Sequence, residues 1–124
     1  MASNKEFADE VTGRLLPFGP AVARRMFGGF GFFLDGVMFG LVGFDKLFFK
    51  ADEGNRADFE QAGMEPFSYQ GRNGPINMSY WRVPDPVFED AEQLSRWAEK
   101  ALAAARRTKT ANKPRKPRKS NKNP

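Results

Sequence analysis

The chemistry open to this chain is set first by what it lacks. Histidine and cysteine are both absent. That removes the commonest general base, the usual partner of a nucleophilic serine, thiolate metal ligands and disulfides. Catalysis would have to rest on carboxylates, lysine or tyrosine. Asp52 and Glu53 come nearest to a carboxylate pair, but they stand where a helix is expected to begin, and acids favour that end for electrostatic reasons alone. Asp85, Glu89, Asp90 and Glu92 have the same explanation ahead of a later helix, and their spacing does not fit a calcium loop. An enzyme built on these groups would need two or more of the acids to converge with Lys46 or Tyr80 in a deep pocket. The residues therefore point to a protein that is not an enzyme and holds no metal or cofactor.

Three patterns speak to binding instead. Phe27-Gly28-Gly29-Phe30-Gly31 is glycine-rich, but Leu34 stands where a dinucleotide fingerprint needs a small residue, and a hairpin follows where a helix is required. Gly29-Phe30-Gly31-Phe32 matches the middle of an RNA-recognition signature, whose strand aromatics stack on bases. Gly28 takes the place of its basic residue and Asp35 of its last aromatic, so Phe30 and Phe32 are expected to face a helical layer. Arg24, Arg25, Tyr80, Trp81 and Arg82 combine arginine with aromatic rings, a mixture enriched at protein interfaces. Adjacent strand residues point to opposite faces, which separates Arg24 from Arg25. It also groups Met78, Tyr80 and Arg82 apart from Ser79 and Trp81.

Charge is divided unevenly along the chain. The net charge is +5, yet nine basic residues and no acids follow position 105, leaving 11 basic residues against 15 acidic ones before it. The expected division is a folded domain over 1–107 and a disordered basic tail over 108–124, where Lys-Pro-Arg repeats and nothing apolar is available to bury. Lys109, Lys113, Arg115, Lys116, Arg118, Lys119 and Lys122 are the candidate contacts to phosphate. With no aromatic to stack on bases, they would hold DNA or RNA without regard to sequence.

The elements that must position these groups follow from pattern. Ser3 with Glu6 reads as a capping box for a helix carrying Phe7, Val11 and Leu15 on one stripe. Strand signals cover 22–27, 29–34, 37–42 and 47–50. Asp35-Gly36 is a strong hairpin turn and Asp45-Lys46 a poor one, so a longer second connection is expected. Asp52 is placed to cap a helix reaching Ala62, with Gly63 as its left-handed terminator. Strands are expected at 67–69 and 76–83. A last helix opens at Asp90 and carries Leu94, Trp97, Ala98, Ala101, Leu102 and Ala105 on one face. The order α-β4-α-β2-α implies an α+β domain, a two-layer antiparallel sheet with helices on one face. Glycines in the sheet suggest a bulge or a close crossing. No apolar run is long enough to span a membrane, and no signal peptide pattern opens the chain, so a soluble cytoplasmic protein is expected.

Several separate segments resemble one family. Arg24-Arg25-Met26-Phe27-Gly28-Gly29-Phe30-Gly31, Leu34-Asp35-Gly36-Val37-Met38-Phe39, Asn55-Arg56, Pro66-Phe67 with Tyr69, and Met78-Ser79-Tyr80-Trp81-Arg82-Val83-Pro84 look like the N-terminal domain of the TfoX/Sxy proteins, regulators of bacterial natural competence. The likeness runs in order from the first helix to about Arg107. It implies a secretion-chaperone-like fold and a non-enzymatic regulator; in competent bacteria such proteins act with the cyclic-AMP receptor protein at promoters. Full-length regulators carry a second helical domain where this chain has its basic segment. No catalytic or binding residue transfers with the resemblance. The expected function is a regulatory or protein-interaction domain with a protein partner and sequence-independent nucleic-acid contacts. The alternative is a chaperone-like adaptor that forms a homodimer through its sheet or third helix.

Overall fold

A computed structural model describes residues 5–26 and 29–111. In chain order these form α1 (Lys5–Arg14), β1 (Val22–Met26), β2 (Gly29–Leu34), β3 (Val37–Gly43), β4 (Lys46–Lys50), α2 (Arg56–Gln61), β5 (Pro66–Gly71), β6 (Gly74–Arg82), α3 (Asp85–Phe88) and α4 (Ala91–Ala111). The strands make one six-stranded sheet in the order β1-β2-β3-β4-β6-β5, antiparallel at every step. The α+β class and the single helical layer are as expected. Ser3, and with it the capping box, lies outside the described residues.

Local chemistry explains where the elements begin and end. Asp35 and Gly36 have φ of 54° and 77°, the two positive values a type I′ hairpin turn needs. The second connection differs from expectation. Gly43 pairs directly with Lys46, so it is a tight two-residue turn made by Phe44 and Asp45 at φ 56° and 58°. Neither residue advertises a left-handed turn as strongly as Asn-Gly would. Asp52 does not cap α2. Its carboxylate takes the Gly54 N–H at 2.8 Å and its carbonyl takes the Asn55 and Arg56 N–H groups, forming a turn ahead of the helix. The N-cap is Asn55, whose buried amide bridges Asp52 N–H and the Lys50 carbonyl. Gly63, at φ 76°, follows the helix as expected. The stretch expected to be a break between Pro84 and Pro86 holds the extra turn α3, because proline is tolerated at the start of a helix, where its missing N–H has no partner to lose. Asp90 then caps α4, accepting Glu92 and Gln93 N–H at 3.0 Å.

The core lies between the sheet and the helices. Ala8, Val11 and Leu15 of α1, Phe59 of α2, Val87 of α3 and Leu94, Ala98, Ala101, Leu102 and Ala105 of α4 pack in one cluster with Phe30, Phe32, Phe39, Val42, Leu47 and Phe49. Phe30 and Phe32 thus serve the helical layer, as the strand pattern suggested. Alanines along α4 let it lie close to β3 and β4, the strands it contacts most. Phe39 meets Phe18 at 5.3 Å and Phe49 at 5.9 Å between ring centroids, separations that favour edge-on aromatic contact. A bulge opposite Phe32 and Phe33 puts Phe39 and Gly40 on the same face. The Phe49 ring covers Gly40, where an added Cβ would sit 3.2 Å from it. A side chain, not a helix backbone, fills that place.

Candidate functional site

The other face of the sheet carries no helix among the described residues, and it is apolar. Leu41, Phe48 and Tyr80 form a second buried cluster there, with Met38, Phe67 and Met78 packed against it. Alternation along each strand puts them there: Leu41 lies beside core-facing Val42, Phe48 between Leu47 and Phe49, and Tyr80 beside Trp81. Glycines make room for large neighbours. A Cβ on Gly31 would press on Met26 and Met38, and one on Gly43 would sit 3.0 Å from the Phe67 ring. The outcome is a groove of about 480 Å³ lined by Met26, Met38, Leu41, Phe44, Phe67 and Met78, together with parts of Phe30, Val42 and Gly43. A second groove of about 410 Å³ adjoins it across Phe44 and Phe67 and includes Phe48, Glu65 and Arg82.

Phe44 marks the junction of the two grooves. It is 55% exposed, stacks on Phe67 at 6.0 Å, and holds a left-handed φ of 56°. For a bulky residue that conformation is an outlier, the kind that accumulates at functional surfaces. Asparagine tolerates the conformation better. We expect Phe44→Asn to stabilise the fold by about 0.5–1 kcal/mol in a urea titration, the relief of backbone strain exceeding the lost ring contact. The same change should weaken binding at this face.

The residues singled out in the sequence are divided between the faces. Arg24 lies on the open face, its guanidinium 5.5 Å from the Phe33 ring centroid, whereas Arg25 sits 4.9 Å from Phe30 on the helical side. Tyr80 is in the open-face cluster, and Arg82 on the same face pairs with Asp85 at 3.3 Å. Trp81 belongs to the core and packs 6.2 Å from Phe59. Arg24, Tyr80 and Arg82 therefore share one face, and Arg25 and Trp81 the other. Lys109 falls in the last turn of α4. Lys113, Arg115, Lys116, Arg118, Lys119 and Lys122 lie outside the described residues. Arg106 and Arg107, part of the basic run, are tied to the body: Arg106 to Asp35 at 3.5 Å and Arg107 to both Asp52 oxygens at 2.6 and 2.8 Å. This two-pronged bond, charge-assisted, holds the Asp52 carboxyl below the usual carboxylate range.

Apart from Phe30 and Arg82, the groove residues were not among the sequence candidates, and neither was one polar pair. Lys50 is 9% exposed; its ammonium donates to Ser79 Oγ and lies 5.3 Å from the Tyr80 ring centroid. Burial lowers the lysine's pKa, and Asp52 partly offsets that. A lysine of reduced basicity beside a serine is also the pattern of a Ser-Lys nucleophile. Here neither residue lines either groove. Among the described residues no three Asp or Glu side chains come together as a metal site. No carboxylate lines the larger groove either.

Burial pushes the Tyr80 phenol up to about 12. Because this folded value lies above the unfolded one of about 10, the associated stability is present below pH 10 and is lost as pH rises through the folded value. Absorbance at 295 nm should show one of the two tyrosines titrating near 12, and Tyr80→Phe should remove that step. A single step near 10 for both would contradict the burial.

No helix of the described residues is long and apolar enough to cross a membrane. Comparison with curated proteins returns no match. The profile of the TfoX N-terminal domain, however, matches residues 14–105, a span from the end of α1 through most of α4 that contains the whole sheet and both grooves. The chain therefore belongs to the TfoX N-terminal domain family.

Proposed function

We propose that this protein is a non-enzymatic regulatory domain that binds another protein through the open face of its sheet. Its basic C-terminal segment adds sequence-independent contact with DNA or RNA. The observation that carries this reading is the apolar groove on the sheet face opposite the helices. Family membership supports a regulatory role, and the absence of histidine and cysteine narrows the chemistry left for catalysis. Water-exposed apolar patches of this kind mark interaction surfaces in soluble proteins.

A homodimer is the second reading, favoured by the same apolar face. Face-to-face pairing of two copies would bring the exposed Arg24 and Lys46 of both into one interface that has no carboxylate in its groove lining, and like charges across an interface disfavour it. Affinity capture with the whole chain, with Met38→Lys/Met78→Lys, and with residues 112–124 removed tests both parts. The double variant should retain its melting temperature within a few degrees, lose the protein captured by the wild type, and keep nucleic acid. The truncated chain should do the reverse. The same protein captured by all three would contradict the assignment of the open face.

A further inference from the structure

The character of the groove narrows what docks in it, given the reading that the open face binds protein. Its lining is apolar and rich in methionine, a side chain whose flexibility lets one surface repack around different apolar partners. The exposed cations beside it are Arg24 and Lys46. By strand alternation Arg24 lies two residues from Met26 and Lys46 two from Phe48, whereas Lys50, opposite Tyr80, is buried with its ammonium on Ser79. Arg82 is already paired with Asp85 at 3.3 Å, and among the described residues the strands carry no carboxylate, with acids at Asp35 and Asp45 in the turns and at Glu65 in the adjoining groove.

Two occupants fit poorly. Residues 112–124 contain six cations, no acid and no large apolar side chain, so they match neither the lining nor the flanks. Stacked bases would need free ring faces, but Phe48 and Phe67 already meet in a T-shaped contact at 5.0 Å and 83°, Phe44 already stacks on Phe67 at 6.0 Å, and Tyr80 is buried.

Dimensions give the rest. The lining crosses the strands from Met26 on β1 to Met78 on β6, four strand spacings apart in the sheet order. At about 4.8 Å each this is roughly 19 Å, the length of a helix of about 13 residues. We propose that the groove docks an acidic amphipathic helix of a partner protein, with its apolar stripe on Met26, Met38, Leu41, Phe67 and Met78 and its carboxylates against the exposed Arg24 and Lys46. This is the helix-in-groove mode of recognition.

Methionine and alanine methyl resonances test it in the whole chain. Met26, Met38 and Met78 line the groove, while the Ala101 methyl, fully buried in the helical core, serves as an internal reference. Three probes are titrated: a synthetic helical peptide of about 14 residues with leucine on one face and glutamate on the other, the same peptide with lysine for glutamate, and single-stranded poly-uridine. The acidic peptide should shift Met26, Met38 and Met78, leave Ala101 in place, and bind roughly tenfold more weakly to Arg24→Glu/Lys46→Glu. If the lysine peptide shifts the same methyls equally well, the face still binds protein but the preference for acid is wrong. Shifts from poly-uridine alone would replace the peptide with nucleic acid. No groove shift with any probe would overturn both the acidic helix and the protein-binding face.

Discussion

Phe49→Ala should destabilise the domain by roughly 3–5 kcal/mol, the range for emptying a fully buried aromatic site. Phe49 is 0% exposed. It stands on β4 at the centre of the sheet, touches Phe39 and roofs Gly40. Collapse into the space is hindered because the pleat below and α4 above are both fixed by their own contacts. A domain of this size has about 5–15 kcal/mol in hand, so the variant should be close to unfolding at body temperature. Val22→Ala, on the open face at 54% exposure, should change stability by about 0.5 kcal/mol or less. Urea titrations of both separate a face that holds the fold from one that is free for binding. A loss under about 1 kcal/mol at Phe49 would mean the helical layer is not the core.

Removing residues 112–124 should abolish binding to DNA or RNA and leave melting unchanged. The cut falls after the end of α4 and spares Arg106 and Arg107, which hold Asp35 and Asp52. It takes away six cations and no acids, changing the net charge from +5 to −1. If all six contact phosphate, affinity of the whole chain should fall on the order of a thousandfold between 50 and 200 mM salt, because each contact releases condensed counterions. Fluorescence anisotropy on random-sequence duplexes measures both effects. Binding that survives the deletion, or that ignores salt, would move the contact onto the domain. Charge dictates this prediction; the residues themselves lie outside the described structure.

The sequence revealed the fold better than the site, for physical reasons. Local signals carried the turn at Asp35-Gly36, the terminator Gly63 and the cap Asp90, since each depends on residues a few positions apart. The turn at Phe44-Asp45 was harder because its strained backbone is not written in glycine or asparagine. Asp52 was misjudged as a cap because its carboxylate serves a turn and Arg107, 55 positions away. The open groove was hidden most completely. It arises from cross-strand register, notably Lys50 beside Tyr80 and Phe48 beside Arg82, which joins segments about 30 positions apart. Met26, Met38 and Met78 look like ordinary strand residues until that register brings them together. The charge asymmetry was legible at once; Arg106 and Arg107, which begin the basic run but were expected within the folded domain, are tied to Asp35 and Asp52.

The most direct test of the account is site-specific photo-crosslinking in cells that make this chain. A crosslinking amino acid is placed at position 44, at the mouth of the groove, and in a separate protein at position 99, exposed on α4. A covalent adduct to a second protein should form from position 44 and none from position 99. Adducts from position 99 alone, or equally from both, would contradict it.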